Sequence, residues 1–448
     1  MARPAAGAGR QAQVAGLLIT ALGWGCASQG PPPGGPPRTT PAAILRTVPE
    51  SGAVTPDLHA DAVVQFDEVI EEGAGSAAAS GAVTGLAARF VLSPVVGAVK
   101  VSWHRDAVHL APQEGWKPNR VYHLEVLPGI ADLHRTSTKT GRTIVFSTGG
   151  PLPTAALRGT VLLWVEQRLL PQAVIRAALL PDTAAYVTLT DSAGNFQLEA
   201  IPPGRYRVWG IQDQNNNRRQ DRREPFDTLT VTVDSAANAL LWAFAHDTVG
   251  PRVRTIEAVD SVTLRVSFSQ PLDPSRPPDT TTVGVFALPD TTPVGVRALY
   301  RPAQFDSIQA RARAVADSLK RLRDSTARRD STARRDTAHA RPTPPSPAAA
   351  AQRAPAPVLG PRRPGGPSDT AAAKVDTARV RKLLSQRPAP YGRIVIQTER
   401  PLTPGAKYLV RVRGAVSLSG VAADGRGVLE VPVPKPAPAD TTKPAKPK

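Results

Sequence analysis

The sequence predicts an all-β protein: tandem β-sandwiches interrupted by a basic, low-complexity insertion. Three observations carry this. Short runs alternate apolar and polar residues with period two, as in Ala62-Val-Val-Gln-Phe66 and Val262-Thr-Leu-Arg-Val-Ser-Phe268. Turn-forming residues separate such runs at the spacing of a sandwich. Finally, 47 prolines and 5% aromatic residues in 448 positions are thin material for one large core and suit several small ones.

Residues 1–25 read as a secretory signal. Arg3 and Arg10 give a basic start, and Val14 to Leu22 is a short apolar core. Gly23 and Gly25 follow as small residues, and the apolar run is too short to span a bilayer. The single cysteine, Cys26, stands at the cleavage point, so no internal disulfide forms. This arrangement resembles the lipobox of bacterial lipoproteins, with Leu22 one place early and Trp24 where a small residue is usual. The resemblance implies a diacylated Cys26 as the first mature residue and a lipid-anchored protein of the cell envelope. Ala27 lacks the acidic signal that retains some lipoproteins at the inner membrane, which points to the outer membrane. The alternative is an ordinary signal peptide with an incidental cysteine. Residues 26–39, rich in Pro and Gly, form a tether that cannot fold.

Residues 40–150 form the first expected domain. Ala62, Val64 and Phe66 alternate with Val63, Gln65 and Asp67, and Tyr122, Leu124 and Val126 alternate with His123 and Glu125. Several segments here carry a family likeness: Gln65-Phe-Asp-Glu68, Trp116-Lys-Pro-Asn-Arg-Val-Tyr122, Gly129-Ile-Ala-Asp132 and Phe146-Ser-Thr-Gly149. Together with Val48-Pro-Glu-Ser-Gly52 they resemble the SbsA-type bacterial Ig-like domain.

Residues 155–247 form the second. Thr190-Asp-Ser-Ala-Gly194-Asn-Phe196 and Ile201-Pro-Pro-Gly204-Arg-Tyr206 each place a glycine in a turn that feeds a strand. The pattern is similar to the carboxypeptidase-regulatory or transthyretin-like β-sandwich, related to starch-binding-type folds. That likeness implies a structural or carbohydrate-contacting module and no peptidase activity.

Residues 248–300 and 390–434 form a split third domain. Leu402-Thr-Pro-Gly-Ala-Lys-Tyr408-Leu-Val410 repeats the first domain's Pro118-Asn-Arg-Val-Tyr122-His-Leu124, which implies a second Ig-like unit. Between the halves lies the insertion, residues 301–389, which holds most of the +18 formal charge. Phe305 to Thr326 is expected to be helical with a thin apolar edge of Ala314, Leu319 and Leu322. Asp324-Ser-Thr-Ala-Arg-Arg329 recurs at once as Asp330-Ser-Thr-Ala-Arg-Arg335, and Pro342 to Pro367 is Pro/Ala-rich and expected to be disordered. A basic tail, residues 435–448, closes the chain. Basicity confined to such segments argues only weakly for nucleic acid, and none is expected as a partner.

The chemically richest stretch is Asp213 to Glu224. Asp213, Asn215, Asn217, Asp221 and Glu224 place side-chain oxygens at positions one, three, five, nine and twelve, and Arg219 offers its carbonyl at seven. That is the spacing of an EF-hand-type Ca2+ loop, where the last carboxylate binds with both oxygens. Arg218 stands at position six, where glycine usually makes the bend, and four arginines weaken cation affinity. The competing reading is a polar surface loop of Asx-turns and an Arg–Asp network. Trp103, Trp116, Trp164 and Trp209 offer aromatic faces for a sugar platform, with Trp209, beside a core-facing Val208, the foremost carbohydrate-binding candidate; the alternative is that such tryptophans are sandwich core. His104, His109 and His123 share a domain but no zinc-ligand spacing and read as surface strand histidines. No nucleophile elbow, Walker loop or dinucleotide fingerprint appears. The sequence therefore points to a non-catalytic, lipid-anchored envelope protein that presents Ig-like modules for structural or adhesive contact, stiffened by calcium. The alternative is a carbohydrate-binding envelope module acting through the middle sandwich. Its partners would be the membrane and envelope glycans or proteins.

Overall fold

The computed structural model describes residues 40–72, 83–336 and 377–433. Cys26, the signal and the tether lie outside the described residues, as do residues 337–376 and the tail. The described chain is almost entirely β-sandwich, with 23 strands and two α-helices.

The first sandwich contains β1 (Ile44–Val48), β2 (Ala62–Phe66), β3 (Phe90–Ser93), β4 (Val99–His104), β5 (Ala107–Pro112), β6 (Val121–Val126) and β7 (Arg142–Ser147). A sheet in the order β1-β2-β5-β4 packs on a second, β3-β6-β7. Period-two alternation sends Ala62, Val64 and Phe66 into the same core as Tyr122, Leu124 and Val126. Each large side chain so buried stabilises the fold by about 1.5–3 kcal/mol before chain entropy is counted.

The second comprises β8 (Ala155–Leu163), β9 (Arg168–Leu169), β10 (Val174–Leu179), β11 (Ala185–Leu189), β12 (Asn195–Ile201), β13 (Gly204–Ile211), β14 (Phe226–Val233) and β15 (Ala236–Ala243). Its sheets run β11-β10-β13-β14 and β12-β8-β15, with β9 beside β8. β15 runs parallel to β8, and Gly159 of β8 lies against Phe196 and the Ala239 carbonyl with no room for a side chain. In the Asp191 turn, the Asp191 carboxylate accepts from the N–H groups of Ala193 and Asn195, both at 2.8 Å, while Gly194 adopts φ +69°.

The third unit is built from β16 (Val253–Ala258), β17 (Thr263–Leu272), β18 (Val283–Ala287), β19 (Thr292–Pro293) and β20 (Val296–Tyr300). After helices α1 (Pro302–Asp336) and α2 (Thr377–Leu384) it resumes with β21 (Tyr391–Thr398), β22 (Lys407–Val416) and β23 (Ala422–Glu430). β21 inserts between β17 and β20, so strands from both sides of the helices share one sheet and one core. The first and third units share a tyrosine corner. Tyr122 Oη accepts from the Lys117 N–H and Tyr408 Oη from the Thr403 N–H, both at 2.9 Å and five residues upstream.

α1 is longer than the expected Phe305–Thr326 segment: the repeat from Asp324 sets each Asp four residues before an Arg, a spacing that supports a helix. Phe305 anchors it, 7% exposed and packed toward Tyr300, while Ile308, Val315, Leu319 and Leu322 stay exposed. α2 was not anticipated: its eight residues lie at the edge of a low-complexity segment and bury no residue fully, although Leu383 and Leu384 pack against the second sandwich.

Candidate functional site

The 213–224 loop leaves β13 and returns to β14. Asp213 begins it, its carboxylate accepting from the Asn217 N–H at 3.2 Å and the Arg218 N–H at 2.8 Å. Asn215 Oδ1 accepts from the Asn217 N–H at 3.1 Å, and Asn217 Oδ1 from the Arg219 N–H at 2.7 Å. Those are nested Asx-turns. Both asparagine amides donate to Asp221 Oδ2, at 2.6 and 3.0 Å. Glu224 is buried, and its two oxygens accept from the Gln214 N–H at 2.8 Å and the Asp221 N–H at 3.1 Å. The loop thus gathers Asp213, Asn215, Asn217, Asp221 and Glu224 through its own hydrogen bonds. Among the described residues, no three His, Cys, Asp or Glu side chains converge as a metal-holding group.

Arg218 has a second role. It adopts φ +56°, an uncommon conformation for a residue with a Cβ. Its side chain leaves the loop and donates to the Phe90 carbonyl at 2.6 Å and to that of Ala88. Burial lowers the guanidinium's pKa, while the charges of Glu125 and Asp213 push it back up. Glu125, on β6, is itself pushed up by burial and pulled down by a Thr188 hydrogen bond and by Arg218. The loop is therefore a bolt between the first two sandwiches.

Other contacts complete that junction. Ser93 Oγ accepts from the Val187 N–H at 3.0 Å, Val95 and Ala185 form an isolated bridge, and Arg120 pairs with Asp182 at 2.8 Å. His123, read from sequence as a surface strand residue, is 3% exposed. Its ring packs at 4.9 Å from Tyr186, and Nε2 lies 3.4 Å from the Ala200 carbonyl. Alternation along β6 turns His123 and Glu125 away from their own core, and the second sandwich covers them. Desolvation drives the His123 pKa down to about 4, with the Ala200 hydrogen bond opposing it. An open cleft beside this junction is lined by Arg89, Glu125, Gln172, Thr188 and Arg218.

A second junction is apolar. Leu162, Trp164, Trp242 and Phe244 of the second sandwich gather Leu383, Leu384 and Leu418. The Arg387 guanidinium stacks 3.4 Å from the Trp164 ring centre, and Trp164 Nε1 donates to the Pro388 carbonyl at 3.1 Å. Arg379 donates to Asn195 Oδ1 at 2.7 Å.

The remaining aromatic candidates separate cleanly. Trp103 donates to the carbonyls of Ile70 and Arg105, and Trp116 to that of Ala60 while meeting Tyr122 edge-on at 4.9 Å. Trp209 stays half-buried on the outer face of β13, while its neighbour Val208 fills the core. His104 and His109 lie with ring centres 4.5 Å apart on the β1-β2-β5-β4 sheet, whereas His123 is on the other sheet.

The four-plus-three antiparallel sandwich closed by a tyrosine corner decides the family likeness of the first unit. Residues 38–148 match the bacterial Ig-like domain family. Ig-like sandwiches ordinarily act as rigid scaffolds for contact loops rather than as catalysts. No curated protein matches the chain. Among solved structures, BcpA, the major pilin subunit of Bacillus cereus, is 11% identical, covering 43% of this chain and 67% of that one with a TM-score of 0.17. The Bacillus anthracis TIE protein is also 11% identical, covering 58% of this chain and 48% of that one with a TM-score of 0.15. Chicken CNTN1 FN1–FN3 domains are 9% identical, covering 89% and 100% with a TM-score of 0.15. Likenesses at these scores carry no functional argument.

Proposed function

We propose that this is a non-catalytic cell-envelope protein, held by a lipid on Cys26 at the outer membrane, that presents stacked β-sandwiches for structural or adhesive contact. The observation that carries this reading is a set of buried polar side chains at the junction of the first two sandwiches. His123, Glu125 and Arg218 are spent on fixing one sandwich against the next, which is what a load-carrying stack needs. The SbsA-type character of the first unit, the transthyretin-like character of the second and the domain limits given above belong to the same proposal.

The anchor is tested on the native protein by detergent partitioning and intact mass. A detergent-phase protein whose first residue is a diacylated Cys26 supports it; an aqueous-phase protein processed elsewhere overturns it.

Calcium belongs to this proposal as a reinforcement of the 213–224 loop. Hard oxygen donors at the right spacing support it: the side-chain oxygens of Asp213, Asn215, Asn217 and Glu224 each accept one hydrogen bond and keep a second lone pair. Bound there, the ion would stabilise the folded loop by mass action.

A second reading makes the middle sandwich a glycan-contact module. It is favoured by Trp209, the tryptophan left on an open sheet face rather than folded into one of the cores. Loss of glycan-array binding on Trp209→Ala would support it, and unchanged binding would remove it.

A further inference from the structure

Strand register on the second sandwich lines up one chemical type on one face. β13 alternates so that Tyr206 and Val208 enter the core, fully buried, while Arg205, Arg207 and Trp209 point the other way. Pairing extends this row sideways. Trp209 lies between Arg176 of β10 and Thr228 of β14, Arg207 lies between Ala178 and Thr230, and Arg205 pairs with Thr232.

Arg205, Arg207 and the three threonines are exposed, and Arg176 and Trp209 are half-buried. Arg176 is fixed from behind, its Nη1 donating to the Arg218 carbonyl at 3.1 Å. The strand residues of this face include no carboxylate, and the ion pairs among the described residues include neither Arg205 nor Arg207. The β11 side is closed off where Ala185 meets Val95 of the first sandwich. What remains open is a strip along β13 with cations and an indole in line, spanning about 13 Å from the first arginine to the tryptophan at roughly 3.3 Å per residue.

We propose that this strip is a docking surface for an acidic polysaccharide. Guanidinium groups at a regular interval meet the repeating carboxylates or sulfates of such a chain. The indole offers an apolar face to a sugar ring, and the threonine row supplies hydroxyls that hydrogen-bond to sugar hydroxyls. Single-stranded nucleic acid fits less well, because it is held by successive aromatic platforms and this face carries one. The proposal rests on the glycan-contact reading of the middle sandwich and narrows it to polyanionic glycans.

The test uses the full chain at physiological salt against alginate, a polyuronate, with dextran as the neutral polysaccharide and polyuridylate as the non-glycan polyanion. The variants are Trp209→Ala, the double change Arg205→Glu with Arg207→Glu, and a charge-matched control, Arg321→Glu with Arg323→Glu in α1. Alginate binding is expected to weaken about tenfold or more in both face variants and by less than about twofold in the control, with dextran unbound. Equal loss in the control, or no loss in the face variants, overturns the proposal by assigning binding to the basic insertion. Polyuridylate binding with the same dependence on Trp209 and the arginines also overturns it. Dextran binding that needs Trp209 but not the arginines sinks the acidic class and keeps the glycan reading; failure of both polysaccharides sinks both. All five positions are solvent-accessible, so unchanged melting of each variant shows that a loss of binding is not a loss of fold.

Discussion

Acidification should loosen the junction between the first two sandwiches through His123. In the folded protein the imidazole is 3% exposed and titrates at about 4, against 6.5 for the free side chain. Between those values the unfolded chain binds a proton that the folded chain refuses. Stability from this group is therefore fully present above about pH 6.5 and falls as pH drops, levelling off near pH 4. A difference of two and a half units corresponds to about 3 kcal/mol, lost at up to about 1.4 kcal/mol per pH unit. Glu125, on the same face of β6, works in the opposite direction because burial raises its pKa, so the wild-type profile alone mixes two contributions. His123→Leu separates them, since it keeps bulk beside Tyr186 and removes the titration, while the lost contact to the Ala200 carbonyl enters as an offset that does not change with pH. Urea unfolding followed by tryptophan fluorescence at pH 7, 6, 5 and 4 should show the variant gaining about 3 kcal/mol on the wild type across the range. A wild-type-minus-variant difference that stays flat from pH 7 to 4 would refute the assignment of His123 as a buried neutral junction residue.

Arg218→Ala should destabilise the pair of sandwiches by about 3 kcal/mol, from lost charge-assisted bonds to the Ala88 and Phe90 carbonyls, and Arg218→Gly by somewhat less because glycine relaxes at positive φ. Differential scanning calorimetry checks both, and unchanged melting of Arg218→Ala rules out the bolt. Gly159→Ala drives a methyl into Phe196 and the Ala239 carbonyl, and should cost about 1–3 kcal/mol or more in chemical unfolding. Trp164→Ala removes the platform for Arg387 and the donor to Pro388. It should cost about 3–5 kcal/mol and expose the residues around α2 to faster hydrogen exchange. Calcium should raise the melting temperature of the wild type, and Asp213→Ala with Glu224→Ala should abolish that rise; an EDTA-insensitive melt of the wild type removes the ion from the account.

The sandwich class was legible because period-two alternation reports directly which side chains face a core. Ala62, Val64 and Phe66, and Leu264, Val266 and Phe268, occupy their cores as the alternation predicts. The repeat that pairs the Tyr122 and Tyr408 segments was also legible, since it is a short local motif, whereas the tyrosine corner both build emerges from the structure. Alternation is silent, however, about whether the opposite face is covered. His123 and Glu125 read as solvent-facing for that reason, and the second sandwich, not β6 itself, buries them. Arg218 looked only like a poor sixth residue for a cation loop. Its partner at Phe90 is 128 residues away in sequence, beyond the reach of any local pattern. α2 hid for a different reason: eight residues are too few to show a helical period, and its contacts come from tertiary packing.

The two junctions differ in their balance of apolar and directional contact. Trp164, Trp242 and Phe244 meet the leucines around α2 through non-directional apolar contact, flanked by the Trp164–Pro388 and Arg379–Asn195 hydrogen bonds. Between the first two sandwiches the contacts are directional: Arg218 to two carbonyls, Ser93 to the Val187 N–H, Arg120 to Asp182 and His123 facing the Ala200 carbonyl. Rotating that junction strands several buried polar groups at once, each costing about 1–3 kcal/mol. Small rotations are therefore penalised there. The angle between the first two units is set by directional contacts that apolar packing alone does not supply.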